Sequence, residues 1–133
     1  MESALIVLVD TAALIWAMSD PDRLSAPARA VLESSDGDVW ASAASAWEIA
    51  TKHRLGRLHN VRSLLDDWVH HLDRFGFRQL DITHRHALHA GSYDVEHGDP
   101  FDRVIAAQAE LEAMTLVAND RAFDLFPITR LWT

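Results

Sequence analysis

The chain has 133 residues, 49% hydrophobic and 24% charged, with no cysteine and a formal charge of −8. Its length allows one globular domain with a real core, and its composition excludes disordered, collagen-like and coiled-coil chains. The lack of cysteine excludes disulfides, thiolate metal sites and thiol nucleophiles, and twenty acidic against twelve basic residues is at first sight a poor surface for a polyanion.

Residues Ala4 to Val9 form an apolar, β-branched run, the pattern of a strand buried on both faces of a parallel sheet. The run is too short, and lacks the basic flank, for a secretory leader, and no stretch reaches the roughly 20 apolar residues of a membrane span. The expectation is one cytoplasmic domain over 1–133. After Asp10 a helix is predicted over Thr11 to Met18, and a second from about Pro27, with Ser25 as its cap. Val39 to Ser42 is a short strand that leads into an Ala-rich helix over Ser45 to Arg54, stopping near Gly56.

Leu64, Leu65, Trp68, Val69 and Leu72 recur at helical spacing, predicting one helix over Val61 to Phe75 that Gly76 terminates. Phe77 to Ile82 alternates as a strand, and Thr83 caps a helix to Ser92. Beyond a loop over Tyr93 to Gly98, Asp99-Pro100 opens a long helix to about Met114. Thr115 to Ala118 is a strand, Arg121 to Leu125 a short helix and Ile128 to Trp132 a last strand. Strands alternating with helices imply an α/β domain whose central sheet is mainly parallel and flanked by helices on both sides.

In open parallel sheets ligands bind beyond the carboxyl ends of the strands. Asp10 directly follows the first strand and Asp120 follows the strand ending at Ala118, whereas Glu48 and Asp102 lie on helices that start near the same edge. Each acid has a structural explanation too: Asp10, Asp99 and Asp120 as helix caps, Asp102 as a first-turn acid, and Glu48, between Trp47 and Ile49, as part of a solvent-facing stripe. Carboxylates that converge need a counter-charge, and an all-oxygen donor set favours Mg²⁺ or Mn²⁺, the ions of phosphoryl chemistry.

Leu8-Val9-Asp10-Thr11, Ala46-Trp47-Glu48-Ile49-Ala50, Asp99-Pro100-Phe101-Asp102-Arg103, Ile105-Ala106-Ala107-Gln108-Ala109 and Leu116-Val117-Ala118-Asn119-Asp120-Arg121-Ala122-Phe123 together resemble the PIN-domain nucleases, and within them the VapC-type toxins, in the same order along essentially the whole chain. The resemblance implies a Mg²⁺-dependent endoribonuclease, neutralised by a small VapB-like antitoxin and forming a homodimer. It implies that Asp10, Glu48, Asp102 and Asp120 are the acidic quartet, catalytic and metal-binding alike. Asp10 and Asp102 match the central ligands. Glu48 would orient or deprotonate the attacking water, and Asp120 would complete a second metal position. Asp99 and Thr11 take supporting roles.

Arg103 and Arg121, each following a site acid, are candidates for contact with substrate phosphates or neighbouring carboxylates. His84, His86, His89 and His97 lack the spacing of a helical zinc site, and surface positions account for them better. The five tryptophans suit core packing and a protein interface better than base stacking.

The alternatives are a non-catalytic PIN-like interaction module and two other enzyme or signalling folds. A phospho-receiver domain needs a lysine after a late strand, but the one lysine here is Lys52 on the middle helix. A dehalogenase-like phosphatase needs an aspartate two positions after the first, where Ala12 stands. The RNA cleaved and the antitoxin's identity are not legible. Four of the twenty acids belong to one cleft, where two divalent ions would halve the net charge opposing RNA.

Overall fold

In the computed structural model residues 5–133 are described, so the predicted first residue of the opening strand, Ala4, lies outside them. Among the described residues five strands form one all-parallel sheet in the order β3-β2-β1-β4-β5. The strands are β1 (Ile6–Val9), β2 (Asp38–Ser42), β3 (Arg78–Leu80), β4 (Thr115–Val117) and β5 (Arg130–Leu131). The helices are α1 (Thr11–Ser19), α2 (Ala26–Glu33), α3 (Ala43–Arg54), α4 (Arg62–Asp66), α5 (Trp68–Phe75), α6 (His84–Ser92) and α7 (Pro100–Leu111). Pro21–Arg23 and Arg121–Leu125 are 3-10 turns. Among the described residues no helix is long and apolar enough to cross a membrane.

β1 lies at the centre and explains why its sequence is apolar on both faces. Val7 and Val9 pack with Leu14, Ala28, Leu32 and Leu72 on one side, and Leu8 packs with Ile105, Ala106, Leu116 and Phe123 on the other. Successive strands lead outward from β1 to β2 and β3, after which the chain returns to the far side of β1 to form β4 and β5. The switch point is therefore between β1 and β4, and a crevice opens where neighbouring connections depart in opposite directions. Asp10 and Asp120 follow these two strands.

The predicted caps are present. Ser25 accepts from the Ala28 amide at α2, and Thr83 and His86 form a reciprocal capping box at α6. Gly76 ends α5 in the left-handed conformation, at φ 71°. Three expectations are corrected. The single helix over Val61 to Phe75 is two, because Asp67 leaves the helical region; the break lets Leu64 join a small cluster with Ile49 and Val61 while Leu72 faces the main core. The last long helix stops at Leu111 and not Met114, because Ala113 turns left-handed at φ 55° and the Ala113 and Met114 amides bond back to Glu110 and Ala109. The Arg121–Leu125 helix is a 3-10 turn.

Candidate active site

Asp10 is both cap and site acid. Its Oδ1 accepts from the Ala13 amide at 2.8 Å, fixing the carboxylate at the start of α1 and the end of β1. It is buried, and burial pushes its pKa up to about 7; the Ala13 hydrogen bond pulls the other way, and the charges of Asp102, Glu48 and Asp120 push it further up. Thr11 beside it is buried and pairs with Ser45, Oγ1 to Oγ at 2.9 Å, tying α1 to α3 one turn before Glu48.

Glu48 points inward, contrary to a solvent-facing stripe, and is 5% exposed. Lys52 donates to its Oε2, while its Oε1 is enclosed without a hydrogen-bond partner. The neighbouring Trp47 is exposed, packing edge-on against Phe101 with ring centroids 4.5 Å apart.

Asp102 reaches the site from the first turn of α7. Its backbone amide donates to Asp99 Oδ1 at 3.0 Å, so Asp99 is the cap of α7 and holds that turn in place. Burial raises the Asp102 pKa to about 6; the His97 hydrogen bond lowers it, and Asp99 and Glu48 raise it. Asp120 is exposed at the rim, where its Oδ1 accepts from the Ala122 amide and caps the turn that follows.

The structure thus gathers Asp10, Glu48, Asp102 and Asp120 closely enough that Asp10 feels the charge of each of the others. No three His, Asp or Glu side chains among the described residues are close enough to enclose an ion as they stand, as expected for carboxylates that repel one another across a gap. The donor chemistry nonetheless fits a hard divalent cation. Burial raises the pKa of Asp10 to about 7 and that of Asp102 to about 6, and an enclosed Glu48 oxygen has no partner. A groove of about 800 Å³ starts at Thr11, Glu48 and Lys52 and runs out between α1, α3 and the α4–α5 segment.

The two arginines part company. Arg103 sends its guanidinium to the carbonyls of Ala90, Tyr93, Val95 and His97, so it is committed to the loop between α6 and α7. Arg121 is exposed beside Asp120. The histidines are corrected: His84 is exposed as expected, but His86 is buried against Glu112 and Gln108, His89 pairs with Glu110, and His97 donates to Asp102.

Sequence reasoning missed four groups that shape the site. Lys52 was legible as the i+4 partner of Glu48. His97 lies five residues before Asp102, but the fold of the intervening loop brings them together. Ser45 carried no distinguishing signal. The fourth is Gln108, fully buried on α7, which accepts from Ser42 at 2.5 Å and donates to the carbonyl of Asp81. Ser42 in turn caps α3. A buried polar link therefore sets the helix bearing Glu48 against the helix bearing Asp102.

A family profile described as PIN domain matches residues 7–128. The chain belongs to the PIN domain family. Similar solved structures are VapBC2 from Rickettsia felis bound to a promoter DNA fragment, at 18% identity and TM-score 0.66, covering 97% of this chain and all of the other; FitAcB from Neisseria gonorrhoeae, at 23% identity and TM-score 0.60, covering 95% and 96%; and a toxin–antitoxin complex from Klebsiella pneumoniae, at 18% identity and TM-score 0.53, covering 86% of each. At these identities the likeness establishes the fold. No curated protein sequence matches the chain.

Proposed function

We propose that the protein is the toxin of a toxin–antitoxin pair, an endoribonuclease that hydrolyses RNA phosphodiester bonds with Mg²⁺, or Mn²⁺ in its place. The observation that carries this reading is the convergence of Asp10 and Asp102, whose pKa values burial raises to about 7 and about 6, with the enclosed, partnerless oxygen of Glu48, a combination that favours a cation. Asp10 and Asp102 would hold the ion, with Glu48 and Asp120 completing its surroundings. Bound there, a divalent ion supplies Lewis acidity, lowering the pKa of water and offsetting charge on the phosphate.

The chain's own residues do the rest. Glu48, enclosed and fixed by α3, holds or accepts a proton from the attacking water through its free Oε1. His97 orients Asp102 through Oδ2, and Asp99 fixes the turn on which Asp102 sits. Thr11 and Ser45 hold α1 and α3 in register at the cleft. Arg121 at the rim, with Arg23 and Arg74 along the groove, offers cationic contacts to a single strand.

Of the similar structures, one is a toxin–antitoxin complex and another is VapBC2 on promoter DNA, which supports a VapB-like antitoxin as partner. Exposed apolar side chains such as Trp47, Val69 and Leu88 are the kind that an antitoxin or a second copy in a homodimer covers. The test is RNA cleavage by the purified protein, freed of antitoxin, with Mg²⁺ and with chelator, beside Asp10→Asn. The wild type cleaves only with Mg²⁺ and the variant is inert; equal activity or equal inertness of the two contradicts the assignment.

A further inference from the structure

Lys52 is the one lysine of the chain, among eleven arginines. It stands one turn beyond Glu48 on α3, where an ammonium reaches a carboxylate on the same helix face. Its side chain is 42% exposed and that of Glu48 only 7%, so the pair runs from the mouth of the site to its floor. The ammonium satisfies Oε2, leaving Oε1 enclosed and unpartnered. Burial works against the lysine's charge, but Glu48, Asp99 and Asp102 more than offset this and hold its pKa above the ordinary lysine value.

Residue type matters here. A lysine head is a compact point charge on a flexible four-carbon stem, released more readily than an arginine fork. Lys52 also lines the groove of about 800 Å³ shared with Thr11 and Glu48, which gives the ammonium somewhere to go.

We propose that Lys52 is a built-in counter-ion, whose ammonium occupies on Glu48 Oε2 the place of a divalent cation and must be displaced for that cation to bind. This rests on the metal-nuclease reading above. Without metal, the lysine keeps a buried carboxylate compensated. With metal, the apparent affinity is reduced by the fraction of time Glu48 is engaged, and the released ammonium turns into the groove.

The single lysine is its own probe. The protein is labelled with ¹⁵N at the lysine Nζ and titrated with Mg²⁺ near neutral pH, alongside calorimetry on wild type, Lys52→Met and Lys52→Arg. The Nζ resonance shifts saturably with the calorimetric midpoint, and its protons exchange faster as Glu48 lets go. Lys52→Met binds Mg²⁺ about tenfold more tightly than wild type and melts lower without metal, whereas Lys52→Arg binds no more tightly than wild type. Mg²⁺ binding that leaves the Nζ resonance unmoved, or a Lys52→Met affinity no greater than wild type, overturns the proposal. Should Lys52→Met fail to fold, the wild-type titration decides. Absence of Mg²⁺ binding by every form has a separate signature: it overturns the metal reading of the site along with this one.

Discussion

Nε2 of His97 lies 2.8 Å from Oδ2 of Asp102, joining the loop after α6 to the acid at the head of α7. Both side chains are 19% exposed, so the bond is partly shielded from water. It opposes the burial that raises the Asp102 pKa to about 6. Replacing His97 by Ala removes that opposition. The acidic limb of the pH–activity profile then moves to higher pH, and activity near neutrality falls about 10- to 100-fold, the range for groups that orient metal ligands. A pH profile of RNA cleavage measures both; an unmoved acidic limb contradicts the role assigned to His97.

Asp10 is stabilised in its protonated form by folding, its pKa raised from 3.8 to about 7. A carboxyl whose folded pKa is raised favours the fold below its unfolded pKa, and this contribution is lost as pH rises from about 4 to about 7. Asp10→Asn keeps an oxygen for the Ala13 amide and removes the ionisation. The variant therefore melts several degrees above wild type at pH 8, corresponding to on the order of 2–4 kcal/mol, and the gain fades towards pH 4. Thermal melts across pH without divalent ions check this, and a variant that is less stable than wild type at pH 8 contradicts it.

Gln108 joins Ser42, the carbonyl of Asp81 and His86 inside the protein. Gln108→Ala leaves buried donors and acceptors unpaired and opens a cavity, at a cost of about 2–4 kcal/mol in urea unfolding. Because the link sets α3 against α7, cleavage also weakens in the fraction that remains folded. A stability loss without any change in cleavage limits Gln108 to the core.

Arg103 discriminates between two roles that its sequence position left open. Gripping one carbonyl of α6 and three of the α6–α7 loop, it is a structural clamp, so Arg103→Lys loses most of the bonds despite keeping the charge. Hydrogen exchange over residues 93–98 accelerates in the variant. A raised KM for RNA with unchanged exchange favours phosphate contact in its place.

The sheet was legible because β1 must be apolar on both faces and its neighbours β2 and β4 are short segments with buried apolar residues set between helices. The aspartates were legible for a different reason: Asp10, Asp102 and Asp120 sit at strand ends or helix starts, where capping and catalysis make the same demand, as Asp10 shows by serving both, whereas Glu48 lies mid-helix. The break at Asp67 was hidden because the apolar period continues across it, although the two halves face different clusters. Glu48's inward aim and the pairing of His97 with Asp102 depend on how helices rotate and how a loop folds, which spacing alone does not determine. Arg103 had the opposite problem. Its motif suggests substrate, while its contacts are decided by a loop that must satisfy its carbonyls.

Under the proposed function, Asp10, Glu48, Asp102 and Asp120 form one site that requires a divalent cation. The measurement that tests it most directly is anomalous diffraction from crystals of the protein soaked in Mn²⁺. The expected result is a peak bounded by the carboxylates of Asp10 and Asp102, and its loss in Asp10→Asn crystals. Mn²⁺ bound only elsewhere, or a peak that persists unchanged in the variant, contradicts it.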